Sequence, residues 1–445
     1  MKKMKRIRMV CILFGSVLAA FLVPLAARAW LASPRLVEAP LKASVTWDAK
    51  WQVISQNGYT DGMHPYPAVA VVSPTVCIAW SRQVGDNVEY YDPYYRSSPQ
   101  NGDPGQWGDQ VDIQPALSIT ETTRVDVAVD DNYKPHFVWS EYTRTPSYTL
   151  YYSYTNATSV EKITETNDKL LSPAIAVSDD DKVHVVWSQE SSIQYNSKDI
   201  GPSTSWGSST DITSSAVMAI HSDIAVDSAG TAHVVWSEGD IGSADIFYAN
   251  SSDGSVWSTP FEVSDDVSND GRKPAIAVSG NNVYVAWCEF ESLSKQWVRF
   301  RQSNNKGASG SWSPYSENIS GGPLGAHADV STYLCPAIAV DSNEKIHVAF
   351  NGLVSGGTYE DIYYASKTQI GSWLCCRNLT SNVIGLHRNN TTPDIAAGGE
   401  DVHLVWAGPP PPPPFDPEGN DYEVLYKRTV TLGEGVYLPI IMKSY

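Results

Sequence analysis

Pro173-Ala-Ile-Ala-Val177, Ser178-Asp-Asp-Asp181 and Val183-His-Val-Val-Trp187 read as a buried strand, a tight turn and a second strand. The first segment is wholly apolar, as a strand covered on both faces must be. The Asp-rich stretch carries turn chemistry. The same unit returns as Pro274-Ala-Ile-Ala-Val278 with Val283-Tyr-Val-Ala-Trp287, and as Pro336-Ala-Ile-Ala-Val340 with Ile346-His-Val-Ala-Phe350. Looser copies begin near Pro67, Val125, Ser222 and Pro393. The second segments end at Trp80, Trp139, Trp187, Trp236, Trp287, Phe350 and Trp406, spaced by 48 to 63 residues. An aromatic third strand follows, such as Ile246-Phe-Tyr-Ala249 or Asp361-Ile-Tyr-Tyr-Ala365. A Gly/Ser/Asn turn then leads to a fourth strand opened by tryptophan, as at Trp257, Trp312 and Trp373. Four short strands per repeat of this length are the mark of propeller blades.

The seventh copy has only three strands, near Asp394–Ala397, Asp401–Trp406 and Tyr422–Lys427. Its missing fourth strand sits at the other end of the sequence. Trp47-Asp-Ala-Lys-Trp-Gln-Val-Ile-Ser55 matches Trp312-Ser-Pro-Tyr-Ser-Glu-Asn-Ile-Ser320 in length and ending. The expected fold is therefore all-β, a seven-bladed β-propeller over 44–430 with four-stranded blades. An N-terminal strand closes the last blade and removes two open sheet edges. Of the 15 tryptophans, six close second strands and six open fourth strands, which assigns most of them to packing between blades.

A basic start (Lys2, Lys3, Lys5, Arg6, Arg8) precedes an apolar run from Met9 to Ala27 and the small-x-small sequence Ala27-Arg28-Ala29. This pattern predicts a signal peptide over 1–29, cleaved on export, followed by a linker over 30–43. The expected product is extracytoplasmic, either secreted or associated with the cell envelope. It has no membrane span after cleavage and is expected to be a monomer. Loss of the segment moves the formal net charge from −18 to about −24, which argues against nucleic acid and anionic membrane as partners. Five cysteines remain, namely Cys77, Cys288, Cys335, Cys375 and Cys376, and their spacing matches no zinc pattern. No cofactor is expected. Calcium on surface carboxylates is compatible with the charge, but no EF-hand type loop is present.

The order of motifs resembles the sialidase-like propellers that carry BNR or Asp-box repeats. In these, Ser-x-Asp-x-Gly-x-Thr-Trp forms the turn between third and fourth strands. Ser251-Ser-Asp-Gly-Ser-Val-Trp257 is similar but one residue short. Ser303–Trp312 and Ser197–Trp206 are more divergent versions. The resemblance implies a propeller fold. For catalysis it implies three arginines on a sugar carboxylate, a Tyr–Glu nucleophile pair and an aspartate acid/base. The first of those arginines belongs to a Phe/Tyr-Arg-Ile-Pro motif on the first inner strand. This sequence has His64-Pro-Tyr-Pro-Ala-Val69 there, without arginine.

Loops before each inner strand and after each second strand are expected to gather at one end of the central channel. The first set holds Tyr66, Arg124, Ser172, His221, Lys273, Cys335 and Thr392. The second holds Arg82, Glu141, Gln189, Glu238, Glu289, Asn351 and Gly408. From these the candidate ligand-binding residues are Arg82, Arg124, Glu141, His221, Glu238, Lys273 and Glu289, with Arg272 and Arg388 nearby. The cations could grip a carboxylate, or simply offset an acidic surface. The glutamates recur at one repeat position, which suits a structural role better than a catalytic one. His136, His184, His233, His347 and His403 recur once per blade and are read as packed, hydrogen-bonded groups. Asp126, Asp223 and Asp394 share one inner-strand position, where they could line the channel or bond to neighbouring amides. No catalytic residue is assigned. The expected activity is binding of an extracellular glycan or protein ligand. A divergent glycoside hydrolase or lyase acting on acidic glycans is the alternative.

Overall fold

The computed structural model describes residues 45–431 apart from the connections 49–50, 56–64, 84–90, 115–120, 143–146, 155–159, 202–203, 214–216, 241, 266–268, 293–294, 321–335, 354–359, 381–389 and 409–421. The expected signal peptide (1–29) and linker (30–43), the six prolines Pro409 to Pro414, the sequence past the last repeat (431–445, apart from Thr431), Cys335 and Arg388 lie outside the described residues.

Seven antiparallel blades follow one another along the chain. Blade three shows the pattern: Leu170–Ser178, Lys182–Gln189, Ser192–Asp199 and Thr210–Asp211, each paired with the next. The inner and second strands form the apolar layers between blades, and the second-strand tryptophans Trp80, Trp139, Trp187, Trp236, Trp287 and Trp406 are fully buried. Blades one and two share one parallel bridge, Tyr91 to Glu121. Among the described residues no helix is long and apolar enough to cross a membrane.

Closure follows the split repeat. Val45–Trp47 pairs with Thr429–Thr431, and Gln52–Val53 pairs with Leu425–Tyr426, on the outer side of the third strand of blade seven. The Ile54 amide donates to Val424 O at 2.8 Å, just as Ile319 donates to Val298 O at 2.8 Å in blade five. Both isoleucines are completely buried. The sequence match between these two segments is thus a match of hydrogen bonding. Arg428 ties the seam by facing Asp48 of the N-terminal segment and Asp103 of blade one.

The fourth-strand tryptophans pack across interfaces. Trp206 of blade three meets Tyr152 of blade two edge-on at 5.3 Å, and Trp257 meets Tyr195 at 4.9 Å. Trp312 meets Tyr248 at 5.2 Å, and Trp373 meets Phe300 at 5.0 Å. At the seam Trp47 meets Tyr364 at 5.0 Å and Trp107 meets Tyr426 at 5.0 Å. Edge-to-face geometry is the preferred one for such pairs. Blade two has no fourth-strand tryptophan, and at the interface of blades one and two Tyr95 packs on Phe137 instead, at 4.8 Å.

The tyrosine hydroxyls explain the repeated histidines. His136, His184, His233, His347 and His403 bond through Nδ1 to Tyr152, Tyr195, Tyr248, Tyr364 and Tyr426 at 2.6–2.8 Å. In blades two, four and six the other ring nitrogen faces a turn aspartate, Asp130, Asp227 or Asp341. Burial holds all five below the ordinary histidine value, His184 at about 4 and His403 at about 3.

The turn Ser251–Trp257 is organised by its own side chains. Ser251 Oγ accepts the Gly254 amide at 2.9 Å. Asp253 Oδ1 accepts the amides of Ser255 and Val256 at 2.8 and 2.9 Å, and these bonds pull its carboxyl down to about 2. Trp257 donates to Gly254 O at 3.3 Å. Cys375 and Cys376, adjacent on the fourth strand of blade six, are bonded to each other, and Cys77 and Cys288 are buried thiols.

Candidate channel site

The inner strands enter the ring through a repeated irregularity. Register slips by a residue at Thr122/Arg124, Leu171/Ala174, Ile220/Asp223, Arg272/Ala275 and Thr391/Asp394. Such bulges re-aim side chains. Tyr66, Ser172, His221, Lys273 and Thr392 all have φ between 40° and 57°. A left-handed backbone costs a non-glycine residue about 1–2 kcal/mol, so five equivalent cases mark a feature of the repeat. These residues, with Arg124, surround a cavity of about 470 Å³ at the channel. Five prolines, Pro67, Pro173, Pro274, Pro336 and Pro393, give it an apolar collar.

Its wall carries Asp126, Asp223 and Asp394, and each clasps the next blade. Asp126 Oδ2 accepts the Ile175 amide at 2.9 Å. Asp223 Oδ2 accepts that of Ile276 at 2.9 Å, and Asp394 Oδ2 that of Val69 at 2.7 Å. The receiving blades have alanine at the aspartate position (Ala174, Ala275, Ala68), which leaves room for the carboxylate. Both readings of the sequence hold together here: the aspartates line the channel and bind neighbouring amides. Burial raises all three carboxyls, Asp223 and Asp394 to about 7 despite their amide bonds, and the charge of Asp126 adds to the rise in both. Arg124 opposes it.

The folded state holds a proton on Asp223 up to about pH 7, whereas an unfolded aspartate releases it near 3.8. This group therefore contributes less stability as pH rises from about 4 to 7, and the contribution is gone above that window. Asp223→Asn should remove that slope. The difference in melting temperature, variant minus wild type, is expected to shift in the variant's favour between pH 5 and pH 8. A difference that stays constant across this range would refute the assignment.

Arg124 is exposed at the cavity, and Lys273 lines it three blades further round. His221, between them, is held down at about 3 by burial and by the charges of Lys273, Arg272 and Arg124. Its Nδ1 and the Oγ1 of Thr392 are buried polar atoms without a hydrogen-bond partner. Arg272 stands beside the cavity with Nε on Asp270 at 2.6 Å.

The second set of expected site residues does not join the first, which corrects the expectation that both converge. Glu141 and Glu238 are buried and accept the indole N–H of Trp139 and Trp236 at 2.8 and 2.7 Å. Glu289 is buried, faces Trp287 Nε1 at 3.4 Å and pairs with Arg299 at 2.9 Å. Two residues along a strand return a side chain to the same face, so a carboxylate there meets the tryptophan and turns into the blade. Arg82 lies over the Tyr94 ring at 5.0 Å, away from the cavity. Among the described residues no group of three or more His, Cys, Asp or Glu could hold a metal ion.

No family model matches the sequence, and no curated protein matches it. Solved structures do. A protein of unknown function from Dyadobacter fermentans is similar at a TM-score of 0.51 and 9% identity, covering 87% of this chain and 99% of its own. The α-L-arabinofuranosidase Arb93A of Fusarium graminearum is similar at 0.50 and 10% identity, over 88% and 98%. A Trypanosoma rangeli sialidase gives 0.45 and 10%, over 87% and 60%. The likeness is one of fold. The two structures at a TM-score of 0.50 or above support the propeller architecture alone, and the function has to be argued from the channel itself.

Proposed function

We propose that this chain is an exported binding protein that takes an acidic glycan at the channel mouth. The observation that carries the reading is the exposed Arg124 guanidinium at the edge of a collared cavity whose wall is rich in hydrogen-bonding groups. A guanidinium offers a carboxylate two parallel donors. The half-buried aspartates below keep lone pairs toward the cavity for hydroxyl groups, and the proline collar suits the C–H faces of a sugar. Export by cleavage after Ala29 is part of this reading. The turns at Ser251–Trp257 and Ser303–Trp312 are read as shortened and lengthened Asp boxes serving structure.

A panel of glycans ending in uronic or sialic acids, set beside neutral ones, tests it. Binding of acidic members without release of product is expected. Arg124→Ala should weaken that binding about 10- to 100-fold, the weight of a charge-assisted hydrogen bond. Equal retention of acidic and neutral glycans by wild type and variant would remove the proposal. A second reading, glycoside hydrolysis, is favoured by Asp223 and Asp394, whose carboxyls near 7 suit a general acid. Turnover in the same panel, lost in Asp223→Asn, would replace the first reading with this one.

A further inference from the structure

We propose that Cys375 and Cys376 form a reversible redox site on the outer strand of blade six, opened by a small dithiol and closed by a disulfide oxidant. The site stands apart from the channel, whose lining includes neither residue, so it does not depend on the glycan reading.

Successive side chains of a regular strand point to opposite faces, which would hold two adjacent cysteines apart. The strand Leu374–Asn378 is irregular at this point. Tyr364 pairs with Arg377 and Ser366 with Leu374, so Cys375 and Cys376 together oppose Ala365 alone. Two residues against one make a β-bulge, which re-aims a side chain. Both Sγ atoms come to one group as a result, 2.8 and 3.4 Å from Ile319 O of blade five, and they are bonded to each other. One peptide unit separates their Cα atoms, less than a disulfide usually spans, and bonds outside the usual geometry are the more readily reduced ones. The pair is also within reach of a reagent. Both residues are partly exposed, and among the described residues no strand covers the outer edge of Leu374–Asn378. Cys77 and Cys288 are completely buried, and burial pushes the Cys77 thiol up, which makes it inert.

The step is a thiol–disulfide exchange. A thiolate of the dithiol attacks one Sγ, the S–S bond breaks, and the departing thiolate takes a proton. The second thiol of the reagent gives up its proton and attacks the mixed disulfide, releasing the other cysteine, which takes that proton. The protein gains two electrons and two protons, and the reagent leaves as a cyclic disulfide. Ile319 O accepts from a thiol, so the reduced pair keeps a partner in blade five.

Alkylation of the folded full chain with iodoacetamide, followed by peptide mapping, tests this. Wild type equilibrated with oxidised glutathione should carry no label on Cys375 or Cys376. Dithiothreitol should raise labelling of both about 10-fold or more, with Cys77 and Cys288 unlabelled and the tryptophan emission of the fold retained. Returning the chain to oxidised glutathione should restore protection. Cys375→Ser should leave Cys376 labelled without any reductant. Labelling of both cysteines in the oxidised wild type overturns the proposal, as does labelling that appears only when the native emission is lost. Protection of Cys376 that persists in Cys375→Ser overturns it too, because the pair would then not be each other's partner.

Discussion

Trp47→Ala is expected to destabilise the ring by about 3–5 kcal/mol, the usual cost of deleting a buried tryptophan. Trp47 is 7% exposed, belongs to the buried apolar cluster that includes Leu404, Trp406 and Ile362, and meets Tyr364 edge-on. It is also the anchor of a strand of only three residues, Val45–Trp47. Without it that strand has little reason to stay, and Thr429–Thr431 lose their edge partner. Urea unfolding gives the magnitude, and hydrogen exchange at 429–431 gives the mechanism. Wild-type stability with unchanged exchange would mean that the N-terminal segment does not close the ring. Trp47→Phe, which keeps an aromatic edge, should lose less.

Gly307→Ala should cost about 2–4 kcal/mol. Its φ of +71° carries about 1 kcal/mol for any residue with a Cβ. The added carbon would also lie 2.2 Å from Tyr248 Cε1, and overpacking of this kind costs about 1–3 kcal/mol. Tyr248 cannot retreat easily. Its hydroxyl bonds to His233 and to Lys306 O, at 2.7 and 3.0 Å, and Trp312 stands against its ring. Gly280 supplies the control, since its φ is +55° and nothing lies within 4 Å of its Cβ position. Gly280→Ala should lose only the backbone part, about 1 kcal/mol. Equal melting temperatures for the two variants would mean that the glycine turn does not sit on the preceding blade.

The blades were legible in the sequence because their signals are local. A strand, its turn and its partner lie within about twenty residues, as Leu170–Ser178 and Lys182–Gln189 do, and their apolar pattern repeats. The closure was legible for a related reason, since a three-strand copy leaves Trp47–Ser55 as the missing piece. The channel was only half legible. Positions before the inner strands were identifiable by counting, and Arg124, His221, Lys273 and Thr392 do meet at the cavity. Glu141, Glu238 and Glu289 were candidates for the cavity by counting, but their recurrence at one repeat position already favoured a structural role, and each meets the tryptophan two residues earlier on the same face. The aspartate clasps join residues 49, 53 and 325 positions apart. No local pattern shows such a bond. One trace was available: where a blade has Asp at this position, the next has Ala.

That trace has a consequence for the symmetry of the molecule. Around the ring the position reads Ala68, Asp126, Ala174, Asp223, Ala275, Ala337, Asp394. Each aspartate consumes one alanine neighbour, so an even number of petals could be shared out in couples without remainder. Seven is odd, and the remainder falls on the petal containing Ala337, which takes part in none of the three aspartate–amide bonds. A swapped or duplicated repeat would therefore find no aspartate clasp to match at that level, and would have to match the Lys367–Glu317 ion pair with the preceding petal instead.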